Sequence, residues 1–242
     1  MTHGGASSRW TRRRAAAAGM AAVLALGGCT TGTSSGSGSG ATGSSGGATD
    51  RASGPVACDQ VDPQTWSPFQ TARDLVAVAT SGEAPHPLQP GSTVGPPTIT
   101  DPYPTAEAFL AQSNVPDPDA RLQVMEDAGY QDGVETEYAG VRPFKVQVLD
   151  FRDSGAVADY LTARLPNICA RGGARAVTVF EDGDGISWID PLGATHGEFI
   201  LGSKQVSLIL CECDDPDALA TMAAWHDAWI EGYGSSASSS ES

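Results

Sequence analysis

The sequence predicts an α+β domain: an antiparallel sheet with helices packed on one face, set between a disordered N-terminal tether and a disordered C-terminal tail. Three observations carry this. Phe144, Val146 and Val148 alternate with Lys145 and Gln147, the period-two signature of a strand with one buried side. Apolar runs separated by short turns follow one another closely from Ala176 to Cys213. Segments of helical periodicity, several announced by a capping residue, lie between and after these strands.

Taken in order, residues 55–104 open the domain with Cys58 and hold one apolar run, Asp74-Leu75-Val76-Ala77-Val78-Ala79, that reads as a strand. Pro85, Pro87, Pro90, Pro96, Pro97, Pro102 and Pro104 then crowd the rest of that segment. Proline cannot donate a ladder hydrogen bond and restricts its predecessor, so 55–104 is an irregular Pro-rich part, packed as coil. Thr105 caps a short helix to Gln112 with Phe109 and Leu110 inward. Asp117-Pro118 is a cap with proline at the first helical position, and Leu122, Val124 and Met125 supply an apolar stripe that Gly129 ends. Tyr130, Val134 and Tyr138 lead on to the strand 144–151. Asp153-Ser154 caps a helix in which Val157, Tyr160, Leu161 and Leu165 recur at helical spacing. Pro166 should stop that helix and leave Cys169 in the connection.

The remainder reads as a meander closed by a helix. Strands are expected at 176–180, 186–189, 197–201 and 205–213, with Glu181 to Gly185 as the first turn and Ser203-Lys204 as the last. Asp215-Pro216 repeats the cap-plus-proline signal, and the final helix presents Leu219, Met222, Ala223, Trp225, Trp229 and Ile230. The alternation of strands and helices has a ferredoxin-like flavour.

Composition narrows what such a domain does. Fourteen Lys+Arg against 29 Asp+Glu give a net charge of −15, which argues against nucleic acid as a partner, because phosphate binders rely on Lys and Arg. No stretch reaches the ~18–20 apolar residues of a membrane span. Twenty-nine glycines are too many for a chain folded throughout, so part of it is linker.

The N-terminus shows how the chain is held. Arg9, Arg12, Arg13 and Arg14 precede a short apolar stretch, Ala15 to Leu26, which is the layout of an export signal peptide over residues 1–28. It closes on Leu26-Gly27-Gly28-Cys29. This segment resembles the lipobox of bacterial lipoproteins, and its Gly- and Ala-rich, Lys-poor surroundings resemble those of high-GC Gram-positive bacteria. The resemblance runs from Met1 to the start of the domain near Pro55. It implies that the Cys29 thiol receives a lipid, that the leader is removed before it, and that palmitate labels the product. The mature protein would then sit on the extracytoplasmic face of the cell membrane. Export by the general or the twin-arginine route both fit the arginine cluster. Residues 29–54 comprise the lipidated cysteine and its linker; apart from Asp50 and Arg51, every position from 30 to 54 is Gly, Ser, Thr or Ala. Such a coil spans roughly 25–30 Å and cannot fold, having nothing to bury. The single α+β domain is placed at 55–233 and a second disordered end at 234–242. Loss of the four leader arginines leaves the mature chain at −19 (10 − 29). An anionic membrane surface repels that charge, so the lipid does the anchoring.

Four cysteines remain after Cys29: Cys58, Cys169, Cys211 and Cys213, an even number in an oxidising compartment. Cys211 and Cys213 lie two apart in one strand, where a mutual bridge fits poorly, so each should pair elsewhere, one with Cys58 and one with Cys169. The competing use is a metal or redox site built on Cys211-Glu212-Cys213 and a histidine. His86, His196 and His226 stand at no zinc-finger spacing and there is no Cys-x-x-Cys, so no metal and no cofactor are expected.

Other chemistry-bearing groups are sparse. Asp182-Gly183-Asp184-Gly185 resembles the start of a calcium loop but lacks the later acidic ligands, and reads as a turn. His226 falls on the face of Met222, where a hydrogen-bonded core histidine is expected, and the adjacent Asp227 diverges from it on the helix. Trp188, Trp225 and Trp229 are expected in the core, and Tyr233 past the helix and exposed. No nucleophile elbow, phosphate loop, Ser-x-x-Lys or His-Glu-x-x-His occurs, so no catalytic residue is assigned. The expected function is a non-enzymatic binding or accessory module of the cell envelope, serving an envelope protein or small ligand. The alternative is an envelope hydrolase using carboxylates. A cleft holding two carboxylates, one of them desolvated, would favour the enzyme.

Overall fold

The computed structural model describes residues 55–81, 97–113, 115, 117–138, 144–171, 176–210 and 217–235. The leader with Cys29, the linker, most of the proline run, Cys211, Cys213, Asp215-Pro216 and residues 236–242 lie outside the described residues, whereas Ser235, expected in the disordered tail, pairs with Gln70.

Strand formation follows the alternation read from the sequence. β1 (Pro55–Ala57), β2 (Pro97–Pro102), β3 (Asp132–Tyr138), β4 (Phe144–Asp150), β5 (Ala176–Val179), β6 (Gly185–Ile189), β7 (Thr195–Leu201) and β8 (Lys204–Leu210) make one eight-stranded sheet in the order β1-β5-β6-β7-β8-β4-β3-β2. Every neighbouring pair is antiparallel. The helices are α1 (Leu75–Ser81), α2 (Ala106–Gln112), α3 (Pro118–Asp127), α4 (Ser154–Arg171) and α5 (Ala218–Tyr233). The α+β class therefore holds. The ferredoxin-like order does not appear: a β2-β3-β4 meander and a β5-to-β8 meander are joined through β4 and β8.

Helices on one face were expected, yet both faces are covered. Val146, Val148, Leu201, Val206 and Leu208 point to one side, where α1 and α5 bury Leu75, Val78, Met222, Trp225 and Trp229 against them. Their strand neighbours Leu149 and Ile200 point to the other side and join Val157, Tyr160 and Leu161 of α4, with α2 and α3 beyond. Adjacent strand residues face opposite ways, so the two clusters are separate layers. The local reason is visible in Phe199-Ile200-Leu201, whose three residues are all buried: a strand apolar on both parities needs cover on both faces.

Three local expectations are corrected. Asp74 to Ala79 forms a helix, because the Asp74 carboxylate accepts the Ala77 amide at 3.0 Å and so starts α1. Thr136 Oγ1 and Tyr138 Oη then both donate to the Ala79 carbonyl and fix the far end of α1 on β3. Pro166 does not end α4, which runs on to Arg171. Leu165 and Ile168 pack with Val177, Ile186 and Trp188, and this burial outweighs one lost helical hydrogen bond. Tyr233 lies within α5 and is buried on Trp229, with the Arg73 guanidinium over its ring.

Candidate functional site

The chemistry gathers on the α4 side of the sheet. Asp117 stands at the N-cap of α3 in the left-handed region, at φ 51°, and its carboxylate accepts the Ala120 amide at 3.2 Å. Pro118 fixes the first helical turn behind it. One turn on, Arg121 is turned inward on the same side as Met125, and only 6% of its surface is exposed. Its guanidinium lies 5.5 Å from the centre of the Tyr160 ring. The guanidinium also hydrogen-bonds the Tyr160 side chain, and among the described residues its Nη1 has no partner. Arg121 also forms no ion pair with any described residue.

This arginine lines a cavity of about 210 Å³ between α3 and α4, together with Asp117, Ala120, Val124, Ala163 and Asn167. Beneath it the polar groups continue into the protein. Arg164 of α4 pairs with Glu198 of β7, whose carboxylate is almost wholly buried. Burial disfavours charge on Arg164, but the Glu198 charge outweighs it and holds the guanidinium more basic than usual. Burial pushes the Tyr160 phenol up, and the nearby arginines only partly oppose this, so Tyr160 stays a neutral hydrogen-bonding group. Gln205 donates to Ser207 on β8 in the same buried layer.

No protein-family model and no curated protein matches the chain. Among solved structures, the chain is similar to the extracellular domain of PknH from Mycobacterium tuberculosis. That structure is 10% identical, covers 75% of this chain and 100% of its own, and has a TM-score of 0.34. Likeness at that level says nothing about function.

The residues singled out from the sequence fall elsewhere. Asp182-Gly183-Asp184-Gly185 is a turn, with Gly183 at φ 67°, as expected. Its second aspartate, however, is buried and receives His226 Nε2 at 2.8 and 2.9 Å. Asp227 does reach His226: its Oδ1 lies 3.1 Å from Nδ1, contrary to the divergence expected of helix neighbours. Asp182, His226 and Asp227 set one ligand atom each within 4.8 Å of one another. Burial alone would lower the His226 pKa, but Asp184 and then Asp227 outweigh it and raise it.

His196 contacts Asp190 at 3.1 Å and stacks on Trp188 with ring centres 4.9 Å apart. Trp188, Trp225 and Trp229 are buried as expected. Cys58 and Cys169 are bonded to each other, with Cα atoms 5.7 Å apart. This corrects the expectation that each would pair with Cys211 or Cys213. The continuation of α4 past Pro166 is what brings Cys169 over the first turn after β1.

Among the described residues, Glu135, Glu137 and Asp150 already hold a lysine, whereas burial and then the neighbouring Asp150 and Asp74 push the Asp132 carboxyl up. Lys145 sits between Glu135 and Glu137, at 3.2 and 2.5 Å. Asp150 accepts Ser203 Oγ at 2.7 Å and pairs with Lys204 at 3.0 Å. Lys204 also donates to Ser203 Oγ at 2.8 Å.

Arg121, Arg164 and Glu198 were missed in the sequence. The signal for Glu198 was the doubly apolar strand around it, which leaves no solvent face for an acid. Arg121 carried no such mark, because an arginine beside an apolar stripe is ordinarily solvated.

Proposed function

We propose that this protein is a lipid-anchored extracytoplasmic module that binds a small ligand of the cell envelope and performs no chemistry on it. The observation that carries the binding role is Arg121, a nearly buried guanidinium that has no counter-ion among the described residues and borders a cavity. Leaving a cation unpaired in low dielectric is costly, and a ligand bearing an anionic group supplies the missing partner. The anchoring part is supported by the arginine cluster, the short apolar stretch and Leu26-Gly27-Gly28-Cys29, followed by a Ser/Gly linker long enough to hold the domain off a bilayer. The hydrolase reading has less support. The cavity offers one carboxylate, Asp117, and that group already caps α3. Carboxylate-based hydrolysis of a glycosidic bond needs two.

Equilibrium dialysis of the purified chain against a small-molecule extract of the cell envelope, read by mass spectrometry, tests the proposal. Retention of at least one compound by the wild type, and its loss with Arg121→Met, is the expected result. Chemical conversion of the retained compound, or no retention at all, would overturn the reading.

A further inference from the structure

We propose that the α3–α4 cavity takes a small zwitterion, an α-amino acid in chemical class, with its carboxylate on Arg121 and its ammonium toward Asp117. This rests on the binding reading above and names its ligand. Asp117 and Arg121 stand four positions apart at the start of one helix, a spacing at which Asp and Arg commonly pair. Here they form no ion pair, although both line the same cavity. The site therefore carries two opposite charges that do not pair with each other, Arg121 nearly buried and Asp117 exposed at the cap of α3. A ligand with both signs satisfies both.

Size and field point the same way. The site has a volume of about 210 Å³ and is open to solvent at Ala120 and Ala163, which suits a small molecule. The −19 charge of the mature chain repels polyanions such as phosphate esters, but not a neutral zwitterion. Ala120, Val124 and Ala163 supply a short apolar wall, and the Asn167 amide offers both a donor and an acceptor. The class is accordingly an amino acid with a small side chain. Arg164 cannot serve as the anion site, because Glu198 already occupies it.

Isothermal titration of the full chain, purified in detergent, with the twenty amino acids tests this. One-ended controls are propionate and ethylamine, which are alanine without its amine and without its carboxylate. At least one small amino acid should bind at least tenfold more tightly than either control. Arg121→Met should weaken that binding tenfold or more while the chain still melts cooperatively, because a buried unpaired charge has been replaced by an apolar group. Asp117→Asn keeps the capping oxygen and removes the charge. It should bring amino-acid affinity down to that of propionate and leave propionate unchanged. If Arg121→Met fails to fold, Arg121→Lys gives the same reading through loss of the planar fork. Equal affinity for propionate and alanine in the wild type, or binding unmoved by the Asp117 and Arg121 variants, would overturn the zwitterion. Failure of all twenty amino acids would overturn it too. Retention of some other compound in the dialysis would then show that the binding reading survives.

Discussion

Among single residues, His226 has the sharpest consequence. It joins α5 to the turn before β6 through Asp184, stacks on Phe180 at 4.0 Å and meets the edge of Phe199. The charged groups facing it are Asp184 and Asp182 from that turn and Asp227 from its own helix. Its folded-state pKa lies above the unfolded value near 6.5, so the stability it contributes is fully present below that pH. The contribution is lost as pH rises through the folded pKa. Urea midpoints of the wild type should therefore fall from pH 6 toward alkaline pH. In the double variant Asp184→Asn, His226→Gln this component of the slope should vanish. Asp184→Asn alone should cost about 3–5 kcal/mol near pH 6, because the buried imidazolium loses its counter-ion. A slope identical in wild type and double variant would refute the pair's role. This pairing was half legible. The turn at 182–185 and the inward face of His226 could be read from spacing. Its union with Asp184 could not, since no local pattern records which distant turn a helix will meet.

At the level of elements, β6 and β7 approach each other closely where glycine stands. A Cβ on Gly185 would come within 2.2 Å of the Glu198 carbonyl and 2.5 Å of Phe199 Cβ. A Cβ on Gly197 would instead meet the Met222 sulfur at 2.6 Å, the far part of a flexible side chain. Gly185→Ala should thus cost roughly 3 kcal/mol or more, by displacing backbone and the Asp184 turn with it. Gly197→Ala should cost about 1–2 kcal/mol, because the methionine can give way. The comparison is made by chemical denaturation of the two variants side by side, and a larger loss for Gly197→Ala would contradict the packing described. Helix caps belong to this scale as well, and those were the most readable elements. Thr105, Asp117 and Asp153 each accept the amide three positions on, as their side chains and places in the sequence implied. Asp74 does the same before an apolar run too short for its period to separate helix from strand.

For the molecule as a whole, one covalent closure organises the domain, and the proposed lipid is its tie to the membrane. The Cys58–Cys169 bond joins the start of the domain to the end of α4, across a sequence separation of 111. In the chain-entropy account, a ring of that length in the unfolded state contributes up to about 4–5 kcal/mol. The double variant Cys58→Ser, Cys169→Ser should lower the denaturation free energy by most of that amount. Stability unchanged by the substitution, or a mass map linking Cys58 to Cys211 or Cys213, would count against the bond. The anchor is tested by palmitate labelling: wild type should incorporate label and fractionate with membranes, whereas Cys29→Ala should remain unlabelled and be released into the medium. Among the described residues no helix is long and apolar enough to cross a membrane.

By itself the sequence determined the α+β class, the caps, the meander from Ala176 onward and the cysteines available for bridging, because each rests on near neighbours in the chain. Its lipobox-like leader also set the expectation of an anchor. Only the tertiary structure decided that both sheet faces are covered, that α4 passes through Pro166, that Cys58 meets Cys169, and that Arg121 is buried beside a cavity with no counter-ion among the described residues. Each of these depends on which distant surfaces come together. Burial there overrides local preference: a proline is carried inside a helix, and a charge that would be solvated on an isolated helix is enclosed once α3 packs on α4.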